Sequence, residues 1–279
     1  SFLVSRSFSP AQVDMLKDLN VIPLVGTAKE FFETLGSAIV QFPTLNKVVL
    51  KSNQGLEGLL KVVGTNLSST NRRHIEEFYG CFRPVRSLQK TAHFRSFFLL
   101  GSEPQWEDIA NDFDAPRQFN ADLMNEFQQS LRGNDVELFA ITGPAGSGKS
   151  TVMKRVAASL ASLGSLVFFT HSEELPALHH FEAALELLPG RSVLFFDNAS
   201  LAVGILADYL AAAKRSVRKH LFVIAGRTHK LVERLTLLNA VVRVHERPVP
   251  DLTVQDVDNI IDVLERNHML GQLANTPRP

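Results

Sequence analysis

One stretch limits the possible folds more than any other, Val136–Thr151, which reads VELFAITGPAGSGKST. The apolar run Leu138–Ile141 stops at a Gly-rich turn, and Gly143–Ser150 then matches G-x-x-x-x-G-K-[ST] at every fixed position. A helical pattern follows at once, with Val152, Val156, Ala157 and Leu160 on one face. Strand, loop and helix in this order are the context a phosphate-binding loop requires. Glycine carries no Cβ, so backbone N–H groups can turn inward around an anion. The helix N-terminus adds its partial positive charge. The expected nucleotide-binding set is Gly143, Pro144, Ala145, Gly146, Ser147, Gly148, Lys149, Ser150 and Thr151. Within it, Lys149 is placed to reach the β- and γ-phosphates, and the Ser150 hydroxyl to ligate Mg²⁺.

The rest of a nucleotide site follows from this start. Val193–Phe196 is an apolar run ending in Asp197, one strand–helix unit after the loop. A carboxylate at that strand end can hold Mg²⁺ together with Ser150. An ATPase that activates water usually has Glu at the next position, but this chain has Asn198. An amide cannot serve as a general base, though it can orient water, so slow hydrolysis is expected. Asn198 also suits a helix N-cap, and both roles stay open. Leu221–Ala225 is a further apolar strand, followed by Gly226, Arg227, Thr228 and His229. If it lies beside the loop strand, its end points at the γ-phosphate, and Arg227 is the expected sensor and catalytic partner of Lys149, Asp197 and Asn198. Arg117 and Phe119, just before the predicted helix Asn120–Leu131, are candidates for a lid over adenine or for a plain boundary loop. Pro248 and Pro250 either line the adenine pocket or form a rigid linker.

The remaining elements are read from pattern. Leu166–Thr170 and Ala240–Val244 are predicted strands, with helices over Leu178–Leu188 and Ser200–Lys214. A helical lid opens at Leu252-Thr253. Phe94–Leu100 reads as a strand and Asn66–Asn71 as a loop. Arg72, Arg73, Arg83 and Arg86, near His74, Phe78 and Phe82, read as a solvated face over aromatic core in preference to a contact surface. Lys214, Arg215, Arg218 and Lys219 crowd a helix end, where one could serve as an arginine finger.

Near the N-terminus the order is β-α-β-α: strands Phe2–Ser5 and Val21–Val25, with capping boxes at Ser9 and Thr27 opening the helices. Those strands need partners upstream, so the 279 residues read as an excerpt from a longer protein. Lys+Arg and Asp+Glu are both 29, which argues against a dedicated nucleic-acid or membrane-surface binder. Cys81 is the sole cysteine, so no intrachain disulfide forms and a reducing, cytoplasmic setting fits.

Two resemblances arise from these residues. SFLVSRSFSPAQVDMLKDLNVIPLVGTAKEFFETL, residues 1–35, looks like the closing unit of a sirtuin-like NAD-consuming domain. The phosphate loop, Asp197 and Arg227, with PQWEDI, NDFDAPR, FFDNA and VIAGR, resemble the STAND class of ATPases, relatives of AAA+ proteins. Bacterial members join such a module to an N-terminal sirtuin-like effector in antiphage defence.

The resemblance implies an α/β chain. A P-loop NTPase core with a parallel sheet flanked by helices is preceded by the end of a Rossmann-like sirtuin-type domain. Residues 1–40 would close the effector, 41–113 connect, 114–250 form the core, and 251–279 begin the lid. It implies ATP and Mg²⁺ as cofactors, and NAD⁺ as substrate of an effector whose catalytic residues are not in this chain. It implies a homo-oligomer on activation, such as a tetramer, triggered by a phage protein through a C-terminal sensor. The alternative is an AAA+ motor or loader on nucleic acid. That would want an acid after Asp197 and basic pore residues.

Overall fold

The computed structural model describes residues 2–5, 22–25, 69–86, 88–90, 97–171, 175–188, 190–199 and 203–271. The chain divides into two compact units, 1–57 and 58–279. In the first, β1 (Phe2–Ser5) and β2 (Ile22–Val25) pair in parallel, with Phe2 opposite Ile22 and Ser5 opposite Val25. The helices predicted after Ser9 and Thr27 lie outside the described residues.

The second unit is built on a six-stranded sheet. Its strands are β3 (Arg83–Pro84), β4 (Glu137–Gly143), β5 (Leu166–His171), β6 (Ser192–Asp197), β7 (Leu221–Arg227) and β8 (Arg243–Pro248). They lie in the order β3-β5-β6-β7-β4-β8, all parallel except the short β3, which runs antiparallel to β5. The helices are α1 (Ser69–Cys81), α2 (Trp106–Ala110), α3 (Gln118–Arg132), α4 (Lys149–Ser162), α5 (Leu178–Leu187), α6 (Val203–Arg215), α7 (Thr228–Asn239) and α8 (Val254–Arg266).

Side chains alternate across a strand, so each strand feeds two cores. Leu138, Ala140, Phe168, Leu194, Phe196, Phe222 and Ile224 pack on one face with residues of α1, α5, α6 and α7. Phe139, Ile141, Val167, Phe169, Val193, Phe195 and Val223 pack on the other with residues of α3 and α4. Burial on both faces is why these strands read as continuous apolar runs. Phe78 and Phe82 of the first core are stacked 4.6 Å apart and fully buried, while Arg73, Arg83 and Arg86 are exposed. The aromatic residues of that basic stretch are therefore core.

Three predicted elements are corrected. Phe98–Leu100 is a single 3₁₀ turn, not the end of a strand, and Phe97 and Leu100 are about two-thirds exposed. The run Ala240–Val244 is not a strand throughout. Residues 240–242 close α7, with Val242 N–H bonded to the Leu238 carbonyl and its side chain buried. The strand starts at Arg243 and runs to Pro248; as a sheet edge it tolerates the polar sequence RVHERP. The loop expected over Asn66–Asn71 gives way to helix by Ser69.

Candidate functional site

Parallel strands deliver their C-terminal ends to one edge of the sheet. β4 lies between β7 and β8, and Gly143 is opposite Arg227. β7 in turn pairs with β6, which ends at Asp197. Gly143, Arg227 and Asp197, separated in sequence, thus reach one rim.

The loop's glycines serve distinct needs. Gly146 and Gly148 have φ of 77° and 84°, a region costly for other residues. A Cβ at Gly143 would come 2.7 Å from Ser147 Oγ, so a side chain there would displace that hydroxyl from its place beside Lys149 Nζ. Lys149 Nζ reaches across the loop, donating to the carbonyls of Gly143 (3.2 Å) and Pro144 (2.5 Å) and to Ser147 Oγ (3.2 Å). Burial, then the neighbouring Arg227 charge, hold the Lys149 pKa below its ordinary value, against the pull of Asp197. Ser150 Oγ donates to Asp197 Oδ1 at 3.1 Å, and the Asn198 N–H donates to the same oxygen at 3.0 Å. Asp197 is 5% exposed. Asn198 has φ of 55°.

Two hollows, each of about 430 Å³, flank the loop, and Ala145 and Gly146 border both. The first gathers Lys149, Ser150, Asp197, Asn198 and Arg227, with Glu103 as well. The second gathers Pro144, Ser147, Gly148 and Thr151 with Arg117, Asn120 and Pro250. Every residue singled out for the site borders one of the two, except Gly143 at the end of β4 and the adenine-pocket candidates Phe119 and Pro248.

The second hollow is tied together over long sequence distances. Arg117 Nη2 donates to the Pro250 carbonyl at 2.9 Å, and Nε lies 3.8 Å from Asp256 Oδ2 on α8. The Arg117 side chain is only 10% exposed. Asn259, also on α8, donates to the Pro116 carbonyl at 2.8 Å. Asp256 doubles as the capping-box partner of Thr253. Arg117 and Pro250, each a candidate in the sequence, are thus brought into direct contact. Adjacent residues of α4 hold the segment that precedes α3. Lys154 Nζ donates to the Pro104 carbonyl at 2.5 Å, and Arg155 bonds Asp114 and the Ile109 carbonyl.

Sequence reasoning missed Glu103, Asn120, Asp256 and Asn259. None lies in a motif; only the fold brings Glu103 and Asn120 to the hollows and Asp256 and Asn259 to the Pro116–Arg117 segment. The cations at the end of α6 and just after it are engaged within the chain. Lys214 and Arg218 donate to the Val241 and Glu186 carbonyls, and Arg215 pairs with Glu182.

The sheet order, the glycine loop at a helix N-terminus and the acid at a neighbouring strand end define a P-loop NTPase fold. Residues 96–235, half of the chain, match the family model for Novel STAND NTPase 5. The chain belongs to that family of STAND NTPases and is a nucleotide-binding module. No curated protein matches it in sequence.

Among solved structures it is similar to Saccharomyces cerevisiae Hsp104 in complex with casein, with 15% identity over 60% of this chain and 32% of that one, and a TM-score of 0.44. It is similar to Aeropyrum pernix ORC1 in complex with DNA, with 18% identity over 54% and 48% and a TM-score of 0.39. It is also similar to the Thermotoga maritima RuvB Holliday junction branch migration motor, with 18% identity over 55% and 52% and a TM-score of 0.40. The chain spans about a third to a half of the length of these structures. Among the described residues, no helix is long and apolar enough to cross a membrane.

Proposed function

We propose that this chain is the ATP- and Mg²⁺-dependent switch of a larger defence protein. The observation that carries the reading is the Ser150 Oγ–Asp197 Oδ1 contact of 3.1 Å beside Lys149. A hydroxyl and a carboxylate at that separation are hard oxygen donors suited to Mg²⁺, which is commonly held by one or two protein oxygens plus substrate phosphates. Bound there, the ion would neutralise charge on the phosphates. Lys149 would exchange its loop carbonyls for β- and γ-phosphate oxygens, and Gly143–Thr151 would supply backbone N–H groups and the Ser147 and Thr151 hydroxyls. Arg227, on the rim of the same hollow, would read the γ-phosphate. Arg117 and Pro250 would border the base. Asn198 would orient water without accepting its proton.

In the full-length protein, a phage component sensed elsewhere would favour the ATP-bound state and homo-oligomer assembly. Assembly would then activate an N-terminal sirtuin-like NAD⁺ hydrolase. The support for that effector is the resemblance of residues 1–35; the β1–β2 parallel pair is compatible with it. In this reading residues 114–250 are the nucleotide core and 251–279 begin the lid.

The test follows NAD⁺ loss and particle size of the full-length protein with candidate phage proteins, in ATP, a non-hydrolysable analogue or ADP. NAD⁺ loss with assembly in triphosphate alone is expected. DNA-stimulated ATPase without NAD⁺ loss would replace the switch with a motor on nucleic acid.

A further inference from the structure

Asp197 Oδ1 accepts from Ser150 Oγ and from the Asn198 N–H, the carboxylate is the one assigned above to Mg²⁺, and Asn198 is an amide, so the second strand motif offers no carboxylate besides the ion's ligand. Yet a second carboxylate borders the same hollow. Among the described residues lining it, Glu103 is the one acid besides Asp197. It comes from the turn before α2, far from the motif in sequence.

Its placement follows from α4. Ser150 and Lys154 are four residues apart and therefore lie on one face of that helix. Lys154 is 4% exposed, and a buried ammonium needs a partner. It finds one in the Pro104 carbonyl at 2.5 Å and lies 5.9 Å from the centre of the Trp106 ring. The segment Pro104–Trp106 is thereby clamped to the phosphate-loop helix. Glu103, the residue before the clamp, sits on the hollow's rim with its side chain 61% exposed and 3.9 Å from Lys154 Nζ. An ion pair that exposed is weak, so the carboxylate is available to water.

We propose that Glu103 is the general base for ATP hydrolysis, supplied from outside the strand motif that ends in Asn198. This rests on the ATP-site reading above. The Glu103 carboxylate takes a proton from a water molecule. The water oxygen forms a bond to the γ-phosphorus, and the bond between that phosphorus and the β–γ bridging oxygen breaks. ADP leaves with the bond's electron pair, and the proton passes to the released phosphate. Asn198 orients the water; Glu103 accepts its proton.

The test compares wild type, Glu103→Gln and Lys149→Ala in the full chain. ATP affinity is read with a fluorescent analogue, hydrolysis by single turnover of labelled ATP, and the bound nucleotide by chromatography. Glu103→Gln keeps the Lys154–Pro104 clamp, which uses a backbone carbonyl. It is expected to slow hydrolysis about 100-fold, the scale of general-base catalysis, with ATP affinity within about twofold. Its bound nucleotide stays ATP where wild type accumulates ADP. Hydrolysis within about twofold of wild type would overturn the proposal. So would a parallel loss of affinity, or a wild type that never hydrolyses ATP. Lys149→Ala separates the two levels: if it still binds ATP, the site reading itself fails, whatever Glu103 does.

Discussion

The two hollows beside the phosphate loop are of equal volume and differently made. The first is assembled from strand ends. Lys149, Ser150, Asp197 and Arg227 each follow directly from a parallel strand or its turn, and adjacency of β4 and β7 brings them together. The second adds to the turn after β4 the segment before α3 and the segment after β8. The Arg117–Pro250 hydrogen bond joins residues 133 apart in sequence, and the Asn259–Pro116 bond residues 143 apart. The first can therefore bind charge with little help from the rest of the chain. The second takes in Ile260 of α8, which suits it to report nucleotide to the lid.

The largest effect should come from the first hollow. Lys149→Ala is expected to weaken ATP binding at least about 100-fold, or ~3 kcal/mol for two charge-assisted bonds, without lowering the melting temperature. Calorimetric titration checks it. Asp197→Ala should remove the Mg²⁺-dependent part of ATP affinity, about 30-fold, measured by titrating with and without EDTA. Equal affinities for wild type in both conditions would break the metal assignment.

Arg117→Ala tests the second hollow. ATP affinity should fall about tenfold, and amide exchange in α8 should quicken even without nucleotide, because the side chain bridges Pro250 and Asp256. A loss of affinity with unchanged exchange would leave the two hollows alike and sink the comparison.

The smallest effect is on pH dependence. Protonated Lys149 is the form that binds phosphate, so affinity is lost as pH rises through its lowered pKa. Burial is the main cause of the lowering and Arg227 the second. Arg227→Ala should shift that alkaline limb upward, read from ATP affinity titrated across alkaline pH.

The wrong expectations have specific causes. Ala240–Val244 is apolar because Val242 closes α7 against the core, whereas the neighbouring strand is an edge and need not be apolar. The exposure of Phe97 and Leu100 has no counterpart in a periodicity reading, which assumes that apolar runs are buried.

By itself the sequence determined the strand–loop–helix around Gly143–Ser150, the acid-terminated strand at Asp197 and the strand leading to Arg227. These are short-range properties: glycine's backbone freedom, apolar runs of strand length, and a helix face at 3.6-residue spacing. Tertiary structure alone decided that β7 lies beside β4, that Arg117 meets Pro250, and that Lys154 clamps the turn carrying Glu103 to the rim. Each of those depends on contacts between segments distant in sequence, and such contacts leave no local periodicity to read.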